Sequence, residues 1–126
     1  MDHETLVEQQ IRDGQALVRK FDQSKFPFVS AFWFYYPDQD AWKLVVATDE
    51  AGDPIKAYTR LSGIISSIEE QGFSLDISQV KLVKPTDPLI RALRIIRIEG
   101  ISNVRFTSNL INGVYIDDAL IYRNVA

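Results

Sequence analysis

Apolar positions along the chain switch between two spacings, three-to-four and two, and the order of the switches predicts the fold. Val7, Ile11, Gly14, Leu17, Val18 and Phe21 recur at helical spacing, which predicts an amphipathic helix over 4–22. Gly14 lies on the apolar side, where its missing side chain lets another element come close, at a cost of about 1 kcal/mol relative to Ala. The helix is expected to stop near Gln23–Lys25, ahead of Pro27.

Residues 27–36 are apolar on both parities: Phe28, Phe32 and Phe34 on one face, Val29, Ala31 and Trp33 on the other. A strand with one wet face would alternate with polar residues, so this one is expected to be central and dry on both sides. Turn chemistry at 37–41 and an apolar return from Trp42 to Thr48, with Trp42, Leu44 and Val46 on one side, predict an antiparallel hairpin at the heart of the sheet.

Two Asp-Pro pairs mark helix starts, Asp as cap and Pro in the first turn, where a missing N–H costs nothing. Asp53–Pro54 opens a helix with Ile55, Tyr58, Leu61, Ile64, Ile65 and Ile68 as its expected stripe and Gly72 as its stop. Asp87–Pro88 opens a shorter one over 88–97, with Leu89, Ala92, Leu93 and Ile96 on one face, although the branched residues of 93–98 also fit a strand entry. Ser78–Val83 between them reads as a strand. The segments 101–108 and 114–123, joined through Asn112–Gly113, read as a closing hairpin, with Asp117 and Asp118 interrupting its second strand as a bulge or edge. The order α-β-β-α-β-α-β-β predicts an α+β fold. The expectation is a two-layer, mostly antiparallel five-stranded sheet with helices on one face, in a single domain over 1–126.

Composition narrows the chemistry. The 126 residues include no cysteine and one histidine, His3. Thiolate nucleophiles, Cys- or His-based zinc sites and Ser–His or Cys–His pairs are thereby removed from the interior, and the reading leans away from an enzyme. No catalytic, metal or cofactor residue is nominated. The missing cysteines fit a reducing compartment, residues 1–4 are acidic where a signal peptide would be basic, and no apolar run approaches the roughly 20 residues needed to span a bilayer. A soluble, cytoplasmic protein with no membrane partner is expected.

Charge is unevenly spread. Residues 1–76 carry 13 acids and 7 bases, and residues 77–126 carry 4 acids and 7 bases, within an overall charge of −3. The acidic total argues against generic nucleic-acid binding. The second half concentrates Lys81, Lys84, Arg91, Arg94 and Arg97 near the third helix, a candidate patch for an anion or an acidic partner, weighed against an ordinary solvated helix face. Asp49, Glu50 and Asp53 could offer oxygen ligands to a divalent cation, but fit no calcium-loop spacing and are better explained by capping and the helix dipole. Asp38 and Asp40 are turn residues before they are an acid–base pair. Ser62, Ser66 and Ser67 lack a neighbouring base.

Trp33, Tyr35 and Trp42 are expected to be core side chains, or a subunit interface if the chain is too small to cover both faces of its aromatic strand. On that ground the leading expectation is a non-catalytic interaction module that self-associates, as a homodimer, through an apolar sheet face. The alternative is a small anionic-ligand or nucleic-acid binding domain using the basic 81–97 region. In size, acidity and α-β-β opening the chain is similar to bacterial type III secretion chaperones, which do not usually end in a hairpin like 101–123; no motif specific to them is present.

Overall fold

A computed structural model describes residues 5–126. His3, and the expected helix start at Glu4, lie outside them. Eight elements follow one another: α1 (Glu8–Gln23), β1 (Ser30–Tyr36), β2 (Ala41–Ala47), α2 (Pro54–Ser66), β3 (Val80–Val83), α3 (Pro88–Leu93), β4 (Val104–Ile111) and β5 (Val114–Asn124). They form an α+β fold around one five-stranded sheet in the order β3-β2-β1-β5-β4. Three of the four pairings are antiparallel; β2 and β3 run parallel, because α2 carries the chain back between them.

The aromatic strand β1 is central and dry on both sides, as its two-sided apolar pattern requires. Ala31, Trp33 and Tyr35 face a core made by Leu17, Val18 and Phe21 of α1 and Leu61 and Ile64 of α2. Phe32 and Phe34 face a second core made with Val45, Ala47, Ile90, Leu93 and Ile121. The helices, expected together on one face, are therefore divided: α1 and α2 cover one side and the short α3 the other, giving three layers. The physical reason lies in α3 itself, where Ile90 and Leu93 are fully buried and need an apolar surface that the first face no longer offers. At about 1.5–3 kcal/mol per buried large side chain, closing both faces within one chain is a major part of its stabilisation.

Several helix details differ from the periodic reading. Val7 is half exposed and Ile55 is 83% exposed, while Leu6 and Ala57 take the buried places. α2 ends at Ser66, well before Gly72, whose positive φ of 84° serves a later turn. The helix starts hold: Asp53 accepts from the Lys56 N–H and Asp87 from the Leu89 N–H.

β5 departs from simple alternation twice. Its register against β1 slips between Ala31 and Phe32, whose partners are Arg123 and Ile121, so Tyr122 has no partner across the ladder and points into the first core. Nearer the turn, Ile116 and Ala119 share the second core although three residues apart, so the alternation slips again at Asp117–Asp118, opposite Ser108 with its φ of 49°. Bulges of this kind re-aim side chains. The hairpin turn is Asn112–Gly113, with φ of 50° and 84°, the left-handed pair that a two-residue hairpin loop demands.

Candidate functional site

The five basic residues of the expected patch are separated by the fold. Lys81 stands over the Tyr36 ring, 4.9 Å from its centre, with its Nζ 3.5 Å from the hydroxyl. The stem of Lys84 lies beside Gly52, at the 3-10 turn before α2. Arg97 is bound to Glu99 at 3.0 Å. Arg91 and Arg94 remain together. They are three residues apart at the end of α3, both exposed, and line a surface groove of about 500 Å³ whose other wall is the hairpin turn Asn112–Gly113 and Val114.

These two stand apart from the other arginines. The chain has eight, and six hold a carboxylate: Arg12 with Glu8, Arg19 with Glu70, Arg60 with Glu50, Arg97 with Glu99, Arg105 with Asp118 and Arg123 with Asp22. Among the described residues, Arg91 and Arg94 have no acidic partner. Binding to Asp118 raises the pKa of Arg105, through paired hydrogen bonds at 2.6 and 2.7 Å; binding to Asp22 does the same for Arg123.

The aromatic candidates lie in the protein's own core. Trp33 is fully buried and donates from Nε1 to the Tyr122 hydroxyl at 3.0 Å; Tyr35 and Trp42 are each 4% exposed, with ring centres 5.5 Å apart. Of the two roles expected for them, core and interface, they occupy the core. The chain covers both faces of β1 itself, so these rings offer no surface to a second subunit.

The acidic cluster before α2 is engaged locally. Asp53 caps the helix and Glu50 binds Arg60. Among the described residues no group of three or more acidic, His or Cys side chains is gathered closely enough to hold a metal ion. Asp13, buried on α1, accepts from Gln9 Nε2 at 2.7 Å and from the Ser74 N–H and hydroxyl at 3.2 and 3.3 Å, tying the helix to the loop after α2. No helix among the described residues is long and apolar enough to cross a membrane.

A second surface escaped the sequence reading. β4 is an edge strand with no fully buried residue, and its hairpin presents Leu110 and Tyr115, directly opposed across the ladder, at 72% and 56% exposure. The other edge of the sheet is short and partly closed, because the Tyr58 hydroxyl accepts from the Leu82 N–H at 2.9 Å. The signal for Leu110 and Tyr115 was their symmetrical placement about Asn112–Gly113, which makes them cross-strand neighbours on one face; that the face is bare depends on where α1 and α2 end.

Comparison of the chain with protein families, curated proteins and solved structures finds no match. The similarity to type III secretion chaperones therefore rests on size, acidity and opening order alone.

Proposed function

We propose that this protein is a non-catalytic interaction module of the cytoplasm that pairs with a second copy of itself. The observation that carries the reading is the uncovered Leu110–Tyr115 pair beside the open edge of β4. The apolar surface once expected on the aromatic strand is spent internally, so association moves to the hairpin. A strand edge presents both donors and acceptors and is therefore self-complementary about a two-fold axis.

The two edges differ in a way that favours a closed pair over a fibre. Tyr58 occupies the outward N–H of Leu82 on β3, and the Ser108 kink interrupts β4. An interrupted edge on one side and a capped one on the other limit endless strand addition. The engagement of Asp13 in hydrogen bonds, and of Asp22, Glu50, Asp53, Asp87 and Asp118 in caps and ion pairs, supports a non-catalytic role.

Sedimentation equilibrium tests the reading. The expected result is a mass rising from 14.4 kDa toward twice that value with concentration, and a dissociation constant weakened about tenfold or more in Leu110→Lys/Tyr115→Lys. Both positions are exposed, so the variant is expected to keep its far-UV spectrum. A wild-type chain that stays at 14.4 kDa up to ~1 mM, or a dimer indifferent to the double substitution, overturns it.

A further inference from the structure

We propose that the groove between α3 and the β4–β5 turn binds the phosphate group of a small phosphorylated molecule, held by Arg91 and Arg94. The argument starts from their isolation. Among the described residues six arginines are paired with carboxylates, and the two that are not lie one helical turn apart and line the same groove. Like charges at this helical spacing repel by a few tenths of a kcal/mol. The negative end of the helix dipole favours cations there, which offsets the repulsion but does not account for both side chains lining one concavity.

The chemistry of the pair selects the ligand. A guanidinium presents a planar fork of donors that fits an oxyanion in bidentate fashion. Two of them match the charge of a phosphate monoester, about −1.5 to −2 at neutral pH, better than the single charge of a carboxylate. Asn112 adds an amide group at the opposite wall. Pro88, Ala92 and Val114 add apolar surface beside the charges, where the organic part of a ligand would rest. The groove's volume, about 500 Å³, falls in the range of small-molecule sites. Lys81 stands over Tyr36, Arg97 is paired with Glu99 and Lys84 lies by Gly52, so no extended basic track for a polyanion is left, and the net charge of −3 opposes one.

The experiment is a titration of the full chain, followed by amide NMR, with inorganic phosphate and separately with glycerol 3-phosphate. Acetate and chloride at matched ionic strength are the controls. The expected result is saturable movement of the Asn112 and Gly113 signals with both phosphates. Affinity should fall about tenfold or more in Arg91→Gln/Arg94→Gln, and in each single variant to a lesser degree, while Arg97→Gln keeps wild-type binding. Retention of binding in Leu110→Lys/Tyr115→Lys would show that the site does not depend on self-association. Absence of saturation by ~10 mM phosphate, equal affinity in the Arg91/Arg94 double variant, or equal response to acetate overturns the proposal. Salt-sensitive binding of a single-stranded oligonucleotide more tightly than glycerol 3-phosphate overturns it in favour of a nucleic-acid surface.

Discussion

The Tyr122 hydroxyl occupies the space that a side chain on Gly14 would need: a Cβ there would clash with the oxygen and lie 2.6–2.7 Å from the ring carbons behind it. Tyr122 is fully buried, donates to the Ile11 carbonyl at 2.6 Å and accepts from the Trp33 indole. The phenol thus fastens α1 to the central strands at the one helix position without a side chain. Gly14→Ala is expected to destabilise the protein by about 1–3 kcal/mol, from overpacking and a displaced hydroxyl, although alanine is the better helix former. Urea unfolding followed by circular dichroism checks it; a variant as stable as wild type would show that the ring can move aside.

The same hydroxyl makes stability depend on alkaline pH. Burial, chiefly, pushes the Tyr122 phenol above its ordinary range; the Asp13 charge adds to this and the bond from Trp33 opposes it. An unfolded tyrosine ionises near pH 10 while the folded one stays protonated, so this contribution is whole below about pH 10 and is lost as pH rises beyond it. Tyr122→Phe is expected to cost about 1–3 kcal/mol at neutral pH by stranding the buried indole N–H and removing the second bond to the Ile11 carbonyl. It should also show a flatter fall in stability above pH ~10 than wild type. Denaturant midpoints across that range measure both.

Asn124 is expected to be the most sensitive polar position on the α3 side. Its Nδ2 donates to the Leu93 and Ile96 carbonyls at 2.7 and 2.6 Å, and its Oδ1 accepts from the Ser30 hydroxyl at 2.6 Å. One buried amide thereby closes the end of α3 onto the sheet. Asn124→Leu removes the partner of the Ser30 hydroxyl and of the Ile96 carbonyl and one of the two donors to the Leu93 carbonyl, which keeps the Ile96 N–H, for a loss of about 2–4 kcal/mol, whereas Ser30→Ala removes one bond and should cost about 1 kcal/mol. Thermal melts of the two variants separate these values.

Tyr58→Phe uncovers the β3 edge by removing the acceptor of the Leu82 N–H. The expected stability loss is small, about 1 kcal/mol, but the exposed strand should aggregate faster on heating. Light scattering during a thermal ramp distinguishes this from a change in melting temperature alone.

Much of this fold was legible in local pattern. The Asp-Pro starts of α2 and α3, the Asn112–Gly113 turn and the two-sided dryness of β1 each follow from a rule about one short segment. The buried stripe of α2 was less legible: Ile55 is as apolar as Leu61, but it lies in the first turn, beyond the reach of the sheet, and projects into solvent. The candidate sites were legible as residue types only. Nothing in their spacing separates Arg91 and Arg94 from Arg97, because pairing with Glu99 depends on where the chain turns after α3.

By itself the amino-acid order determined that β1 must be covered on both sides, that Gly14 leaves room for a close neighbour, and that no Cys–His chemistry is available. Only the tertiary structure decided what does the covering, which neighbour arrives and which charges stay unpaired. Hydrophobic burial is non-directional, so a pattern can demand a cover without naming it. The division of the helices between the two faces, the bulge that turns Tyr122 toward Gly14 and the groove that isolates Arg91 and Arg94 are settled by contacts between segments far apart in the chain.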